Sequence, residues 1–186
     1  ILYPGKVITT MQDLTTLRFR NPTKNPLVFW LKQRVYWLVN YVAPRKSAHV
    51  IAISGYTRND VMKTLHYDRP EKFTVTLESA DPLPTPAVPV QELVGKRFIM
   101  YVGRHQPHKN LPRLVEAHEK LLAQHPDLIL AIVGKPDATT KVLQERVTRP
   151  ESVVFTGFVS DEQLRWLYEH TACYCFPSLS EGFGLP

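Results

Sequence analysis

The feature that most constrains this chain is the regular alternation, across its second half, of short apolar runs with amphipathic ones. Runs at 98–102, 128–133, 153–156 and 172–176 have strand length and composition, while 111–122, about 140–147 and 161–170 carry helical spacing. Leu111, Leu114, Val115, Leu121 and Leu122 trace one helix face, with Asn110 placed to cap that helix and Pro112 in its first turn. Ser160 and Gln163 form a capping-box pair ahead of Leu164, Leu167 and Tyr168. Successive strands separated by helices cannot pair as hairpins, so the alternation implies an α/β architecture with a parallel sheet and helices on its faces. In such sheets ligands bind at the loops that follow the strands.

The first half reads as strands at 7–11, 49–53 and 73–77, with Asp13 where the first gives way to a loop. The turn formers Asn21, Pro22, Asn25 and Pro26 precede a run at 27–42 in which Leu27, Leu31, Val35, Leu38 and Val42 recur near one helical face. This is a helix of about four turns that Pro44 should end. Thr57 followed by Asp60 suggests a capping-box-like start to a helix carrying Val61 and Leu65. Pro82, Pro84, Pro86 and Pro89 are too dense for a helix or a central strand. The expected division is 1–77 as the later part of one Rossmann-like domain, 78–95 as a linker, and 96–186 as the earlier part of a second such domain. The absence of an initiator Met, and a first strand that reads as part of a larger sheet, lead us to expect a fragment.

A chain of 186 residues, 44% hydrophobic and 22% charged, is a globular composition rather than a disordered one. The net charge of +6 suits an anionic partner without choosing among a nucleotide diphosphate, a phospholipid surface and nucleic acid. No recognition motif supports the last, so no nucleic-acid partner is expected. No run approaches the roughly 18 apolar residues of a membrane span, and the start lacks a signal-peptide pattern. Cys173 and Cys175 share one side of a strand without forming an obvious disulfide loop, which favours a reducing, cytoplasmic setting. The helix at 27–42 adds Phe29, Trp30, Tyr36, Trp37 and Tyr41 to Lys32, Arg34, Arg45 and Lys46, a mixture that suits peripheral contact with an anionic membrane. A core helix with aromatic packing and a wet basic side is the other reading of the same pattern.

Two strand-end loops carry candidate chemistry. Gly103, Arg104, His105, Gln106, Pro107, His108, Lys109 and Asn110 lead from a strand into a helix N-terminus, where backbone amides, the helix dipole and two cations favour an anion. The loop has neither the P-loop nor the dinucleotide-binding glycine pattern. The second loop, 176–186, contains Gly182 and Gly184, which permit close approach of a ligand, and Glu181 as its one acid. Read without any family, both sets of charges are also readable as solvated loop residues, Arg104 and Lys109 the more so.

Three ordered blocks now resemble one family. Val102-Gly103-Arg104 with Pro107 and Lys109-Asn110-Leu111, then Val154-Phe155-Thr156-Gly157-Phe158-Val159 with Leu164 and Leu167-Tyr168, then Pro177-Ser178 with Glu181-Gly182-Phe183-Gly184-Leu185-Pro186, are similar to the family 4 retaining glycosyltransferases. The mannosyltransferase-like members are nearest in flavour. Ile53-Ser54 before the Thr57 helix also resembles the end of that family's N-terminal domain. The resemblance implies a GT-B fold of two Rossmann-like domains with parallel sheets, and a nucleotide sugar held mainly by the second. It implies that Arg104 and Lys109 hold the donor diphosphate and stabilise the charge growing on it. Glu181 would match the first Glu of the family's E-x7-E motif and meet donor-sugar hydroxyls, the second Glu being expected beyond Pro186. Gly103, Ser178, Gly182, Phe183, Gly184 and Leu185 would line the donor, with the amides of 183–185 on sugar and phosphate.

No metal and no cofactor are expected, the nucleotide sugar being a substrate and the seven His being scattered. Two departures stand out: Gln12-Asp13 where many relatives have His-Asp, and Glu78-Ser79-Ala80-Asp81 where a different turn is usual. The expected function is transfer of a hexose, mannose favoured, to a glycan or lipid-linked hydroxyl acceptor, with this piece alone inactive. The alternative is a non-catalytic nucleotide-sugar or anion-binding module.

Overall fold

The computed structural model describes residues 3–19, 25–83 and 86–185, so Pro84, Pro186 and the turn formers at 21–22 lie outside the described residues. By their contacts the residues form two compact units, Ile1–Ala80 with Ser180–Leu185, and Asp81–Leu179.

The first unit contains β1 (Ile8–Met11), α1 (Thr15–Arg18), α2 (Pro26–Lys46), β2 (His49–Ala52), α3 (Gly55–Thr64) and β3 (Phe73–Val75). The strands are parallel in the order β1-β2-β3, Thr9 opposite Val50 and Val50 opposite Phe73. Alternation along β2 decides the core. Val50 and Ala52 are fully buried with Met11, Leu14, Val61, Leu65, Tyr67 and Phe73, while His49 and Ile51 are only partly covered.

The long helix α2 differs from expectation in extent and in facing. Asn25 caps it, its side chain accepting from the amides of Leu27 and Val28. Pro44 does not end it; the helix runs on to Lys46, and Ser47 closes it with both its amide and its hydroxyl on the Ala43 carbonyl. Proline is tolerated there because in the last turn it forfeits a single helical bond. Of the expected apolar stripe, Leu27, Leu31, Val35 and Leu38 are 75, 59, 54 and 53% exposed. The inward line is instead Phe29, Gln33, Tyr36, Asn40, Ala43 and Pro44. Hydrogen bonds fix that facing: Gln33 donates to the Thr16 carbonyl and Tyr36 to the Asp13 carbonyl. A helix apolar around most of its circumference has no decisive hydrophobic side, so polar contacts to the end of β1 set its rotation.

Arg45 is committed inside the unit. It stacks on Tyr41 at 3.5 Å and donates to the carbonyls of Tyr41, Leu65 and His66, satisfying the C-terminal end of α3. At the other end of α3 the cap is Ser54 rather than Thr57. Ser54 leaves β2 in extended conformation and its Oγ accepts from the Thr57 amide at 3.0 Å. Thr57, already three residues into the helix, is buried, and its hydroxyl faces the Gln12 carbonyl at 2.9 Å.

The second unit contains β4 (Phe98–Val102), α4 (Leu111–Leu121), β5 (Ile129–Val133), α5 (Ala138–Gln144), β6 (Val153–Gly157), α6 (Asp161–His170) and β7 (Cys173–Tyr174). All four strands are parallel in the order β6-β5-β4-β7. Every residue of β5 is buried, as a central strand covered on both faces requires. Alternate residues serve the two faces. Phe98, Met100, Ala131 and Val133 pack with Trp166 and Leu167 of α6, whereas Tyr101, Leu130 and Ile132 pack with Leu111, Leu114, Val115 and Leu143 of α4 and α5. The expected capping box at Ser160 and Gln163 is present.

The chain winds outward from β4 to β6 and then returns to place β7 on the other side of β4. The switch point of this doubly wound sheet therefore lies between β4 and β7.

Of the proline-rich stretch at 78–95, the later residues dock on the second unit. Val90 and Leu93 are buried in its core, Val88 bonds the Glu162 carbonyl, and Arg165 donates to the Leu83 carbonyl. Among the described residues no helix is long and apolar enough to cross a membrane.

Removing the Ser54 cap tests the α3 assignment. Ser54→Ala should lower unfolding stability by about 1 kcal/mol, read from the urea midpoint.

Candidate functional site

In the second unit the switch point brings together the loop after β4 and the segment after β7. Gly103 leaves β4 with φ 144°, and its amide bonds the Val133 carbonyl at 2.9 Å. Facing it, Gly134 at the end of β5 has φ 149°, and a Cβ there would lie 2.1 Å from the Gly103 carbonyl oxygen. No larger residue fits at 134 while the two loops remain this close. Below them the Tyr101 hydroxyl donates to the Arg104 carbonyl at 2.8 Å, pinning the start of the loop from inside the core.

The loop then makes a 3-10 turn at Pro107–Lys109 and reaches Asn110, which takes the left-handed conformation at φ 57°. Asn110 is not the expected cap of α4, because a residue in that conformation aims its side chain away from the helix amides. Its amide donates instead to the Pro177 carbonyl at 3.2 Å. The Leu179 amide bonds the His108 carbonyl at 2.8 Å, so the segment after β7 is tied to the loop twice. The N-terminus of α4 consequently has no side-chain cap. Its amides and dipole end retain their attraction for an anion.

Arg104 is exposed on this loop, and half-buried Lys109 holds its Nζ 5.4 Å from the centre of the Phe176 ring. Ser178 is half-buried with its Oγ covered and without a hydrogen-bond partner. Gly103, Arg104, Lys109 and Ser178 are thus gathered on one edge of one unit.

The rest of the candidate residues, Glu181, Gly182, Phe183, Gly184 and Leu185, fall in the run Ser180–Leu185, which groups by contact with the first unit. Gly182 is the fixed point. Its carbonyl accepts from Ser54 Oγ and from Thr57 Oγ1, and a Cβ on it would lie 2.2 Å from the Gln12 carbonyl oxygen and 3.1 Å from Asp13. The run therefore rests on the ends of β1 and β2. Asp13 turns inward to accept the Thr15 amide at 2.8 Å, and Gln12 is exposed. Ser180 is buried beside Thr15, Glu181 and Phe183 are half-buried, Gly184 takes φ 95°, and Leu185 is exposed.

Several structural partners were not singled out from sequence: Gly134, His105 with Thr140, and the bridging role of Asn110. One signal was available. Val102-Gly103 and Val133-Gly134 are the same dipeptide at the ends of adjacent parallel strands, the pattern of two backbones that must approach closely.

Both cysteines are free thiols, and burial, then the neighbouring Cys173, pushes Cys175 up to about 11, so it is a protonated bystander at neutral pH. Among the described residues no group of three or more His, Cys, Asp or Glu could hold a metal.

The chain is similar to known proteins. The family model described as glycosyl transferases group 1 matches residues 88–186. The chain is 26% identical over 200 residues to O-antigen chain mannosyltransferase B of Escherichia coli, the match covering 97% of this chain and 49% of that protein. It is 35% identical over 95 residues to the serotype-specific mannosyltransferase WbdA of E. coli, covering 48% of this chain and 12% of that one. The chain thus spans about half the length of the first of these relatives.

Among solved structures, Anabaena HepE in complex with UDP and glucose matches with a TM-score of 0.57 and 20% identity, over 86% of this chain and 43% of that one. Staphylococcus aureus TarM in complex with fondaparinux, α-GlcNAc-glycerol and UDP matches with a TM-score of 0.64 and 16% identity, over 96% and 33%. The fold is of GT-B type, with two Rossmann-like parallel sheets, each represented in part. With the family model covering residues 88–186 and the strand-end loops in place, the chain belongs to the group 1 glycosyltransferases.

Proposed function

We propose that the protein transfers a hexose, mannose by preference, from a nucleoside-diphosphate sugar to a hydroxyl of a glycan or lipid-linked acceptor, with retention at the anomeric carbon. One observation carries the donor assignment: the uncapped N-terminus of α4 stands at the switch point on the same loop as Arg104 and Lys109. A diphosphate is the anion that this combination of dipole and two cations suits. As the bond between the anomeric carbon and the diphosphate oxygen breaks, its electron pair stays on the diphosphate, while the acceptor oxygen bonds the anomeric carbon on the same face and its proton passes to the leaving diphosphate. Arg104 and Lys109 stabilise that growing charge, so no metal is required of the mechanism. Glu181 accepts from donor-sugar hydroxyls, and the amides of Phe183, Gly184 and Leu185 meet sugar and phosphate. The mannose preference follows the relatives, two of which are named as mannosyltransferases.

A peripheral membrane contact belongs to the same proposal. The outward face of α2 presents Leu27, Trp30, Leu31, Val35 and Leu38, with Lys32 and Arg34 exposed among them. No acidic residue occurs between Leu14 and Asn59. Apolar and aromatic side chains flanked by cations alone suit the interface of an anionic bilayer, where a lipid-linked acceptor would be presented.

In the natural full-length protein, Lys109→Ala and Glu181→Ala should each reduce hexosyl transfer by roughly 10²- to 10³-fold with the fold retained. Unchanged transfer in both would refute the site assignment, and donor binding without any turnover in the wild type would favour the non-catalytic module. For the membrane contact, co-sedimentation with vesicles containing phosphatidylglycerol should fall when Leu31 and Leu38 are changed to Ser, and when Lys32 and Arg34 are changed to Glu. Vesicle binding indifferent to all four would refute the membrane contact of this face.

A further inference from the structure

His105 is 4% exposed, yet it sits in the loop that carries Arg104 and Lys109, beside exposed positions. Its Nδ1 lies 2.7 Å from Thr140 Oγ1, and its own carbonyl accepts the Thr139 hydroxyl. Both threonines belong to the first turn of α5, whose cap is Asp137. Asp137 Oδ1 accepts from the Thr139 amide at 2.8 Å and the Thr140 amide at 3.3 Å, and lies 2.6 Å from Thr139 Oγ1, whose one proton it shares with the His105 carbonyl. Thr140 Oγ1 in return accepts the Asp137 amide at 2.8 Å. The histidine is therefore wired to a fully formed capping box on a neighbouring helix.

Nε2 is buried with no hydrogen-bond partner, 3.4 Å from the position a Cβ would take on Gly134, and the ring meets Phe155 edge to face at 6.5 Å. The bond between Nδ1 and Thr140 Oγ1 is therefore the one hydrogen bond of the ring among the described residues. Burial holds this imidazole below its ordinary value, against the opposing pull of Asp137, and keeps it neutral.

We infer that His105 is a positioning residue: through Thr140 it locks the loop bearing Arg104 and Lys109 onto the first turn of α5. This rests on the diphosphate reading of that loop but has its own observables. An apolar residue of similar size would fill the space equally well and leave the loop held at Gly103, through the carbonyls of Arg104, His105 and His108, and at Asn110. The bond to Thr140 adds a side-chain tether between the two cations in sequence, where a displacement of about 1 Å costs up to 100-fold in rate.

The test compares His105→Leu, which removes the bond, with His105→Asn, whose amide reaches the position of Nδ1, and Thr140→Val with Thr140→Ser. In the full-length protein without donor, amide hydrogen exchange across 104–110 should quicken by roughly tenfold or more in the Leu and Val variants and return toward wild type in the Asn and Ser variants. With donor, kcat/KM should follow the same order, falling roughly 10- to 100-fold in the first pair. Wild-type exchange in His105→Leu, or equal loss in His105→Leu and His105→Asn, overturns the positioning role. If exchange changes as described while kcat/KM does not, the tether stands and the diphosphate reading of the loop fails.

Discussion

The loop bearing Arg104 and Lys109 depends on the approach of two backbones at the ends of β4 and β5. Gly103 and Gly134 lie so close that one added carbon at Gly134 would sit 2.1 Å from its neighbour's carbonyl oxygen. Parallel strands of this length bury both faces, so their ends are the places where the chain can turn outward with its polar groups accessible. Two glycines at adjacent ends let the turns stack instead of diverging. Tyr101 from below, His105 from the α5 side and Asn110 from the β7 side then hold the loop that carries Arg104 and Lys109. Cations on a loop tethered this often are presented with little entropy left to lose, which is what a site stabilising a transient charge requires.

A comparable economy governs the first unit. Gly182 packs its backbone against the carbonyl of Gln12, and the hydroxyls of Ser54 and Thr57 converge on its own carbonyl. Ser54 serves two structures with one oxygen, capping α3 while bonding the glycine-rich run. The run around Glu181 is thus held by main-chain packing.

How much of this was legible in advance follows from how local each signal is. The strand-helix alternation of the second unit appears where expected, and β4 and α6 match to the residue, because burial on both faces of a parallel sheet writes itself into composition. The candidate cations were visible as charges on a strand-end loop. The facing of α2 was not, since most of its side chains are apolar or aromatic and the deciding contacts, Gln33 with Thr16 and Tyr36 with Asp13, join residues far apart in sequence. Asn110 misled for a related reason. Its position before a helix looks like a cap, but the left-handed turn that gives it φ 57° depends on Pro177, a partner 67 residues away. His105 and Thr140 carry no periodic signature at all; they meet only because β4 and β5 are neighbours in the sheet.

The account rests on a diphosphate occupying the edge of the sheet between β4 and β7. The most direct test is a crystal structure of the full-length protein soaked with GDP or UDP. The phosphates should lie at the N-terminus of α4 within hydrogen-bonding distance of Arg104 and Lys109, about 2.7–2.9 Å from their nitrogens. A nucleotide bound with its phosphates away from both side chains, or seated on another edge of the sheet, would contradict it.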